Sequence, residues 1–494
     1  MGTNYPTNVL PRDSVEVGES GILRATIRLL VLITLGTSLT LAMLPLAVRF
    51  RLGGAQLSVA ERLRAGGFWS VGFFVKALLL VCAAVVVTVA FRYALRKLEP
   101  FLDANALVQG RFLDTLKSEH VDIAIMFSAA LSLFLELALI RWHSSILEFL
   151  SYYKNFSLLA CFAGLGLGYA LASRTRILLL LVIPLLAWQF LFLMMIRLVP
   201  DLFRIIPFRE QLSMGVRSGT DVPRILMLYL LLTVLFLITA LTFLPVGQLC
   251  GRLMERRSKL RAYGLNLLGS VLGVLLMLGA SFLWAPPLVW FTLCFLVILL
   301  FLGRQPSTLF TGIGFTAVCV VVLAWWPIDR VWNRVYSPYQ LLEIGASPDT
   351  GLTIVRAAGL FYQGIQDLSG RPLPAKLTGV RDYYDFPYKV RSRLDDVAVV
   401  GAGTGNDVAA ALRAGAVRVD AVEIDPVIML IGRENHPEKP YRNPHTNAIN
   451  DDARSFLRRT QQRYDLISYG LLDSHTLLTQ GSSVRLDLSI PWKA

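Results

Sequence analysis

The sequence predicts a multi-pass α-helical membrane region followed by a C-terminal α/β domain, on three observations. The 494-residue chain is 55% hydrophobic and only 17% charged, and its mean hydropathy is +0.57. Soluble chains are about 45–50% apolar and about 25% charged. The apolar residues fall in long blocks before residue 327, and from Asp396 short apolar strands alternate with helical segments. The composition excludes a wholly soluble, a disordered and a collagen-like protein.

The net charge of +14 indicates membrane anchoring. The lysines and arginines cluster in the short links between apolar blocks, where such residues anchor helices, but their numbers on alternate links are nearly equal and leave the orientation open. The sequence contains no nucleic-acid motif with interleaved aromatic residues, so we expect no nucleic-acid partner.

The cysteines and histidines show no pattern of a disulfide framework or a metal site. None of the five cysteines forms a CxxC pair, and the five histidines have no metal-ligand spacing. We therefore expect neither a disulfide framework nor a metal site.

A polar tail at 1–22, with no signal-peptide pattern, precedes a predicted transmembrane domain of about 8–9 helices at 23–326. Each span needs about 20 apolar residues, and two of the nine candidates, 156–173 and 288–303, are short. The lipid bilayer is the expected partner of this domain. The candidates are 27–48, 68–91, 121–141, 156–173, 177–199, 224–250, 264–285, 288–303 and 307–326.

Glu136 lies deep in the third predicted span. An acid inside a membrane is a functional candidate, although it could also serve as a structural partner of Arg141 or of a neighbouring helix. The glycine runs at 164–168 and 269–273 predict close helix packing.

The residues after Pro327 predict first a small β-rich segment at 327–390, with strands at 339–344 and 353–357. A Rossmann-like domain at 391–494 follows. In it, the strand 397–400 runs into a turn with Gly401, Gly403 and Gly405, a helix spans 408–414, and the strand 418–422 ends at Glu423. Glycines let a backbone turn sharply beside a ligand.

This pattern predicts a site for a nucleoside-bearing cofactor, because an acid at the tip of the second strand can accept hydrogen bonds from two ribose hydroxyls. Asn406 replaces the third glycine of the dinucleotide pattern, which argues against a pyrophosphate ligand. Asp407, with Glu423 and Asp425, fits ligands of the S-adenosylmethionine type better. Asp452 could bind the adenine amino group or act as a helix N-cap.

These motifs, GAGTGNDV, VEID, DDARSFL and YDLISYGLLD, resemble those of the spermidine synthase (polyamine aminopropyltransferase) family. The resemblance starts near Ser337-Pro338-Tyr339-Gln340, takes in 359–363 and 383–385, and covers about 150 residues. The multi-span region is similar to the membrane-embedded bacterial relatives of these enzymes, in which a helix of the type 135–141 recurs.

The resemblance implies decarboxylated S-adenosylmethionine as co-substrate and a fold of the S-adenosylmethionine-dependent methyltransferase type. It implies that Gly401, Gly403 and Gly405 form the cofactor loop, and that Glu423 and Asp452 hold the ribose and the adenine. The aspartate that serves the family as base falls on Gly470, which cannot take a proton. Asp473 matches a second acid of that motif and is the candidate that could substitute.

About 20 residues follow Asp473, whereas such a sheet needs roughly three more strands, so the sequence predicts an incomplete domain. We expect a membrane-bound protein that binds S-adenosylmethionine or its decarboxylated form and transfers an aminopropyl group to a small-molecule amine or another nucleophile. A methyltransferase, an inactive nucleoside-sensing or structural membrane protein, and a transporter remain alternatives. Because the cofactor is made in the cytosol, we expect a bacterial inner-membrane protein whose C-terminal domain is cytoplasmic.

Overall fold

The computed structural model describes residues 12–52, 71–147, 150, 154–197, 222–302, 305–325, 332–346, 352–357, 360–370, 375–390 and 394–469. The chain divides into two compact units. The described parts of 1–143, 153–277 and 287–327 form a helical unit, and those of 144–152, 278–286 and 328–494 form the second unit.

Within the described ranges, nine helices precede residue 327. They are α1 (Arg12–Leu52), α2 (Val71–Asp114), α3 (Ser118–Ile146), α4 (Lys154–Ala170), α5 (Val182–Arg197), α6 (Val222–Met254), α7 (Lys259–Phe282), α8 (Pro287–Phe301) and α9 (Pro306–Trp325). All of their residues belong to the first unit except 144–146 of α3 and 278–282 of α7.

Seven helical segments in the described part of the chain are long and apolar enough to cross a membrane. They lie in α1, α2, α3, α6, α7 and α9, and across the start of α5. The predicted spans at 156–173 and 288–303 correspond to α4 and α8, whose apolar parts at 155–170 and 287–301 are shorter. By length, seven segments in the described residues are therefore candidates to cross a membrane, and the number of spans stays a prediction.

The glycine runs pack helices closely, which confirms the prediction for them. A Cβ atom on Gly164 of α4 would overlap the carbonyl oxygen of Ala240 of α6, and a Cβ atom on Gly168 would overlap that of Leu244. Gly166, between them, faces open space. In the same way, Gly269 and Gly273 of α7 lie against the backbone of α3 at 126 and 130. Small residues let helix backbones approach in this way where the hydrophobic effect cannot drive association.

The second unit begins with an antiparallel sheet of strands β1 (Asn333–Tyr336), β2 (Leu341–Ala346), β3 (Thr353–Ala357) and β4 (Leu360–Ile365), in that order. Helix α10 (Ala375–Asp385) follows. This helix lies in the segment that the sequence predicts to be β-rich. Its residues are mostly polar, and its apolar side chains follow no clear helical period.

A parallel sheet follows, with β5 (Asp396–Val400), β6 (Arg418–Glu423), β7 (Thr446–Asn450) and β8 (Leu466–Tyr469) in the order β7-β6-β5-β8. Helices α11 (Asn406–Arg413), α12 (Pro426–Asn435) and α13 (Ala453–Arg459) connect these strands. The last four residues of β5 are fully buried, because helices cover both faces of a parallel sheet. The predicted strands and helices of this region agree with the structure to within about two residues.

The two sheets share apolar contacts through α12. Leu342 and Val355 of the antiparallel sheet form one buried cluster with Val427 and Ile431 of α12. The β1–β2 and β4 segments are thereby fixed beside the carboxyl edge of the parallel sheet.

Candidate functional site

The candidate site lies at the carboxyl edge of the parallel sheet, where β5, β6 and β7 end beside each other. The turn after β5 has three glycines with positive φ: 73° at Gly401, 56° at Gly403 and 101° at Gly405. L residues with a side chain rarely adopt these angles. The amides of Gly401 and Ala402 both donate to the carbonyl oxygen of Val422, each at 2.9 Å. The turn is therefore tied to the end of β6.

The buried carboxylate of Glu423, at the tip of β6, accepts hydrogen bonds that fix the conformation of this turn. Its Oε2 accepts from the amide of Gly403 at 2.8 Å, and its Oε1 accepts from the amide of Asp425 at 3.0 Å. The residue is 5% exposed. Burial raises the pKa of Glu423, and hydrogen bonds from backbone amides, those of Asp425 and Gly403 foremost, oppose that shift. Each carboxylate oxygen keeps a lone pair that could accept a hydrogen bond from a hydroxyl group.

Asp425 is engaged by the chain itself. Its Oδ1 accepts from the amide of Val427 at 3.0 Å, which makes it the N-cap of α12, and its Oδ2 accepts from the hydroxyl of Ser337 at 2.6 Å. Asp425 is 1% exposed. Its role in cofactor binding stays a prediction, and in this structure the carboxylate anchors the β1–β2 turn.

Tyr339, in that turn, is an aromatic side chain close to these acids. Burial raises the pKa of its hydroxyl, and the negative charges of Asp425, Asp452 and Glu423 raise it further. The phenol is about one-third exposed. The carboxyl edge therefore combines a partly exposed aromatic ring with a concentration of negative charge, in a chain whose net charge is +14.

Asn406 joins three segments at the start of α11. Its amide nitrogen donates to the carbonyl oxygen of Gly364 at 2.8 Å and to the hydroxyl of Tyr384 at 3.1 Å. Its amide oxygen lies 3.0 Å from Nε2 of His436. Burial lowers the pKa of His436 to about 4, so this ring is neutral at pH 7 and Nε2 is the donor. A glycine at 406 would lose all three contacts.

Asp407 follows in the first turn of α11. Burial raises the pKa of its carboxyl group to about 6, and among the described residues its side chain makes no ion pair. A half-buried carboxyl group without a cationic partner costs free energy. The structure thus places the predicted residue beside the glycine turn and leaves its charge uncompensated.

Asp452 follows β7 and caps a helix with one of its two carboxylate oxygens. Its Oδ1 accepts from the amide of Ser455 at 2.9 Å, which makes it the N-cap of α13. Its second oxygen has no partner among the described residues, and the residue is exposed. The two predicted roles, N-cap and acceptor for an adenine amino group, are therefore compatible.

Two residues that sequence reasoning did not assign complete the turn. Oε1 of Gln363, in β4, accepts from the amide of Thr404 at 2.9 Å and from its hydroxyl at 2.8 Å. The hydroxyl of Tyr441 donates to the carbonyl oxygen of Gly403 at 2.7 Å. Gln363 lies in the segment 359–363, whose resemblance to the spermidine synthase family was the sequence feature that could have pointed to it. Tyr441 lies in a short 3₁₀ turn with no motif.

Asp473 and Gly470 lie outside the described residues, which end at 469 in this region. The proposed substitution of Asp473 for the base therefore stays a prediction from the sequence.

Two solved structures with similarity to the chain are spermidine synthases. One, from Thermotoga maritima, has 15% sequence identity and a TM-score of 0.23, over 27% of this chain and 44% of that chain. The other, a complex with the transition state analogue AdoDATO, has 15% identity and a TM-score of 0.23, over 28% of this chain and 46% of that chain. The chain spans less than half the length of either structure.

No protein-family model matches the chain. No curated protein matches it either.

Proposed function

We propose that the C-terminal unit is a Rossmann-like domain that binds an adenosine-bearing sulfonium cofactor, either S-adenosylmethionine or its decarboxylated form. The observation that carries the proposal is the position of Glu423. Its carboxylate joins the glycine turn after β5 to the end of β6, so a hydroxyl-bearing ligand over that turn meets an acceptor already held in place. Asp452, at the end of β7, offers its free oxygen to an amino donor.

The charge around the turn favours a cation over a pyrophosphate. Glu423, Asp425 and Asp452 all act on the Tyr339 hydroxyl, and Asp407 adds a further carboxyl group. A site with this sign of charge attracts a sulfonium or an ammonium and repels a dinucleotide. Asn406, in place of a third glycine, is committed to three contacts of its own.

The proposed reaction transfers an aminopropyl group to an amine, and methyl transfer is its alternative. The sulfonium supplies the chemistry, because it activates the attached carbon toward a neutral amine. The chain's own contribution is to hold the ribose at Glu423 and the adenine at Asp452, and to orient the acceptor. Asp473 is the residue proposed to receive or direct the amine proton.

The proposal extends to the whole chain. The predicted transmembrane domain at 23–326 would anchor the protein in a bacterial inner membrane, with the Rossmann-like domain at 391–494 in the cytoplasm where the cofactor is made. The acceptor would then be a small-molecule amine met at the membrane surface.

Direct binding tests the proposal. Calorimetry on the full chain in detergent would titrate S-adenosylmethionine, its decarboxylated form and methylthioadenosine. We expect binding that Glu423→Gln weakens about 10- to 100-fold, since hydrogen bonds to a charged group contribute about 1.5–3 kcal/mol. The exposed Glu434→Gln is the matched control and should bind like the wild type. The preferred ligand separates aminopropyl from methyl transfer.

The absence of binding by a folded sample would refute the proposal. Equal binding by the wild type and Glu423→Gln would show that the ligand does not use this acid. A mass-spectrometric search for methylthioadenosine after incubation with decarboxylated S-adenosylmethionine and a polyamine would then test turnover separately, because aminopropyl transfer releases it.

A further inference from the structure

The helical unit contains a polar face that the proposed function does not use. Along α3, the polar or titratable residues Ser128, Ser132, Glu136 and His143 are all at least nine-tenths buried. The first three follow each other at four-residue steps, which places them on one face of a helix. Between residues 123 and 140 all other residues of α3 are apolar, and the helix contains one of the seven membrane-length segments.

Glu136 is the unusual member of this face. It is 2% exposed, and it makes no hydrogen bond or ion pair within the described part of the chain. Arg141, the predicted structural partner, lies instead over the ring of Trp290, 4.8 Å from its centre. A carboxylate buried in this way is strongly destabilised unless it is neutralised.

The second titratable group of the face is fully hydrogen-bonded across four helices. His143 Nδ1 lies 2.9 Å from the hydroxyl of Ser157 in α4. Its Nε2 lies 3.1 Å from the amide nitrogen of Gln189 in α5, which also donates to the hydroxyl of Thr239 in α6 at 2.7 Å. Because the Gln189 amide donates to Nε2, the imidazole proton is on Nδ1. Oε1 of Gln189 is buried without a partner among the described residues.

A proton is the ligand that fits Glu136. An organic cation would need a cavity, and Leu135, Ala138, Leu139 and Cys161 around this position are completely buried. A proton needs no cavity, and its binding converts the carboxylate into the neutral acid without changing any other bond. Intramembrane acids in such positions typically mark proton relays.

We propose that α3 carries an intramembrane proton-exchange site, with Glu136 as the group that takes up and releases the proton. Ser128 and Ser132 line the same face toward the α3 N-terminus, where Asp122 pairs with Arg257 at 2.6 Å. From Asp122 to Glu136 the helix rises about 21 Å, at about 1.5 Å per residue. The site lies in the helical unit and does not depend on the proposed cofactor function of the other unit.

Few other titratable groups face this acid. Cys161 of α4 is close enough to interact with it electrostatically. Further along the same face, Ser128 interacts with the thiol of Cys250 of α6, which also contacts Tyr169 of α4. His143 and Arg141 lie on α3 itself and are engaged as described above. The substitution Glu136→Gln is therefore needed to assign a protonation change on this face to Glu136.

Proton flux across vesicles tests the proposal. The full chain would be reconstituted into vesicles that carry an imposed pH gradient, and a trapped pH-sensitive dye would report its decay. We expect the wild type to collapse the gradient at least tenfold faster than Glu136→Gln, and Glu136→Asp to restore part of the rate. Glu119→Gln is the matched control, because this exposed acid at the start of α3 should leave the rate unchanged.

Wild-type vesicles that hold the gradient as long as protein-free vesicles would overturn the proposal, as would equal rates for the wild type and Glu136→Gln. Thermal unfolding in detergent supplies a second measurement. Glu136→Gln should melt at the same or a higher temperature than the wild type. A clear fall in its melting temperature would show that the acid has a structural partner, and it would also overturn the proposal.

Discussion

The two units of the molecule treat a buried acid in opposite ways. Glu423 and Glu136 are both almost inaccessible, at 5% and 2% exposed. Glu423 receives one backbone donor on each oxygen, whereas Glu136 receives none from the described residues. The difference teaches that burial alone does not define a role. A buried acid that accepts hydrogen bonds from the backbone stabilises the local fold. A buried acid without such bonds destabilises the folded state, so its presence calls for a functional reason.

The largest effect that we expect from this comparison is the change in the free energy of unfolding caused by removing the Glu423 carboxylate. Glu423→Ala leaves the buried amides of Gly403 and Asp425 without an acceptor, and each such loss costs about 1–3 kcal/mol. We expect the C-terminal unit to be destabilised by about 2–5 kcal/mol in total. Urea unfolding of the full chain in detergent, followed by tyrosine and tryptophan fluorescence, would measure it.

Glu136→Gln provides the contrast, with no loss of stability expected for the helical unit. The comparison would fail if both substitutions destabilised the protein to the same extent, or if Glu423→Ala left the unfolding midpoint unchanged.

The second effect concerns Asn406, whose side-chain polar atoms, like those of Glu423, all have hydrogen-bond partners. Asn406→Gly restores the third glycine of the dinucleotide pattern, but it removes the contacts to Gly364, Tyr384 and His436. We expect a destabilisation of about 2–4 kcal/mol, from three lost hydrogen bonds and the flexibility of a glycine in a helix. The midpoint of chemical unfolding would measure it, and calorimetry should show no gain of NAD binding. An unchanged midpoint would mean that water replaces the three partners at no cost.

The third and smallest effect concerns Asp407, whose acid makes no ion pair within the described part of the C-terminal unit. Its folded-state pKa of about 6 lies above the ordinary value of 3.8, so the folded protein holds this proton more tightly than the unfolded chain does. The contribution of the group to stability is therefore complete below about pH 4 and is lost as the pH rises through 6.

Asp407→Asn should remove this slope. We expect the variant to match the wild type at pH 4 and to exceed it by about 1–2 kcal/mol at pH 8, less than the full shift because the group is partly exposed. Unfolding midpoints across this pH range would test it. Asp382→Asn, at an exposed acid, is the control. A wild-type slope that persists in Asp407→Asn would assign it to another group, and a rising slope would point to His436, whose lowered pKa acts in the opposite direction.

Much of the fold followed from local patterns. The apolar blocks predicted the helices, and the glycine turn, the strand tips and α11 were placed to within about two residues. The prediction was less accurate for α10, where Tyr383 and Tyr384 belong to no clear apolar period. The number of spans stays a prediction, because α4 and α8 are apolar but short, and composition does not fix where a helix ends.

The sequence by itself determined that the chain has membrane-length helices, and that Gly401, Gly403, Gly405, Glu423 and Asp452 fall at strand ends. These are local properties, since hydrophobic period and turn chemistry act over a few residues. The tertiary structure alone decided how each acid is used. Asp425 is a cap bound to Ser337, which is 88 residues away along the chain, and Gln363 and Tyr441 close the turn from distant segments. Glu136 has no ion pair with Arg141, because a partner is chosen by packing in three dimensions and not by proximity in the chain.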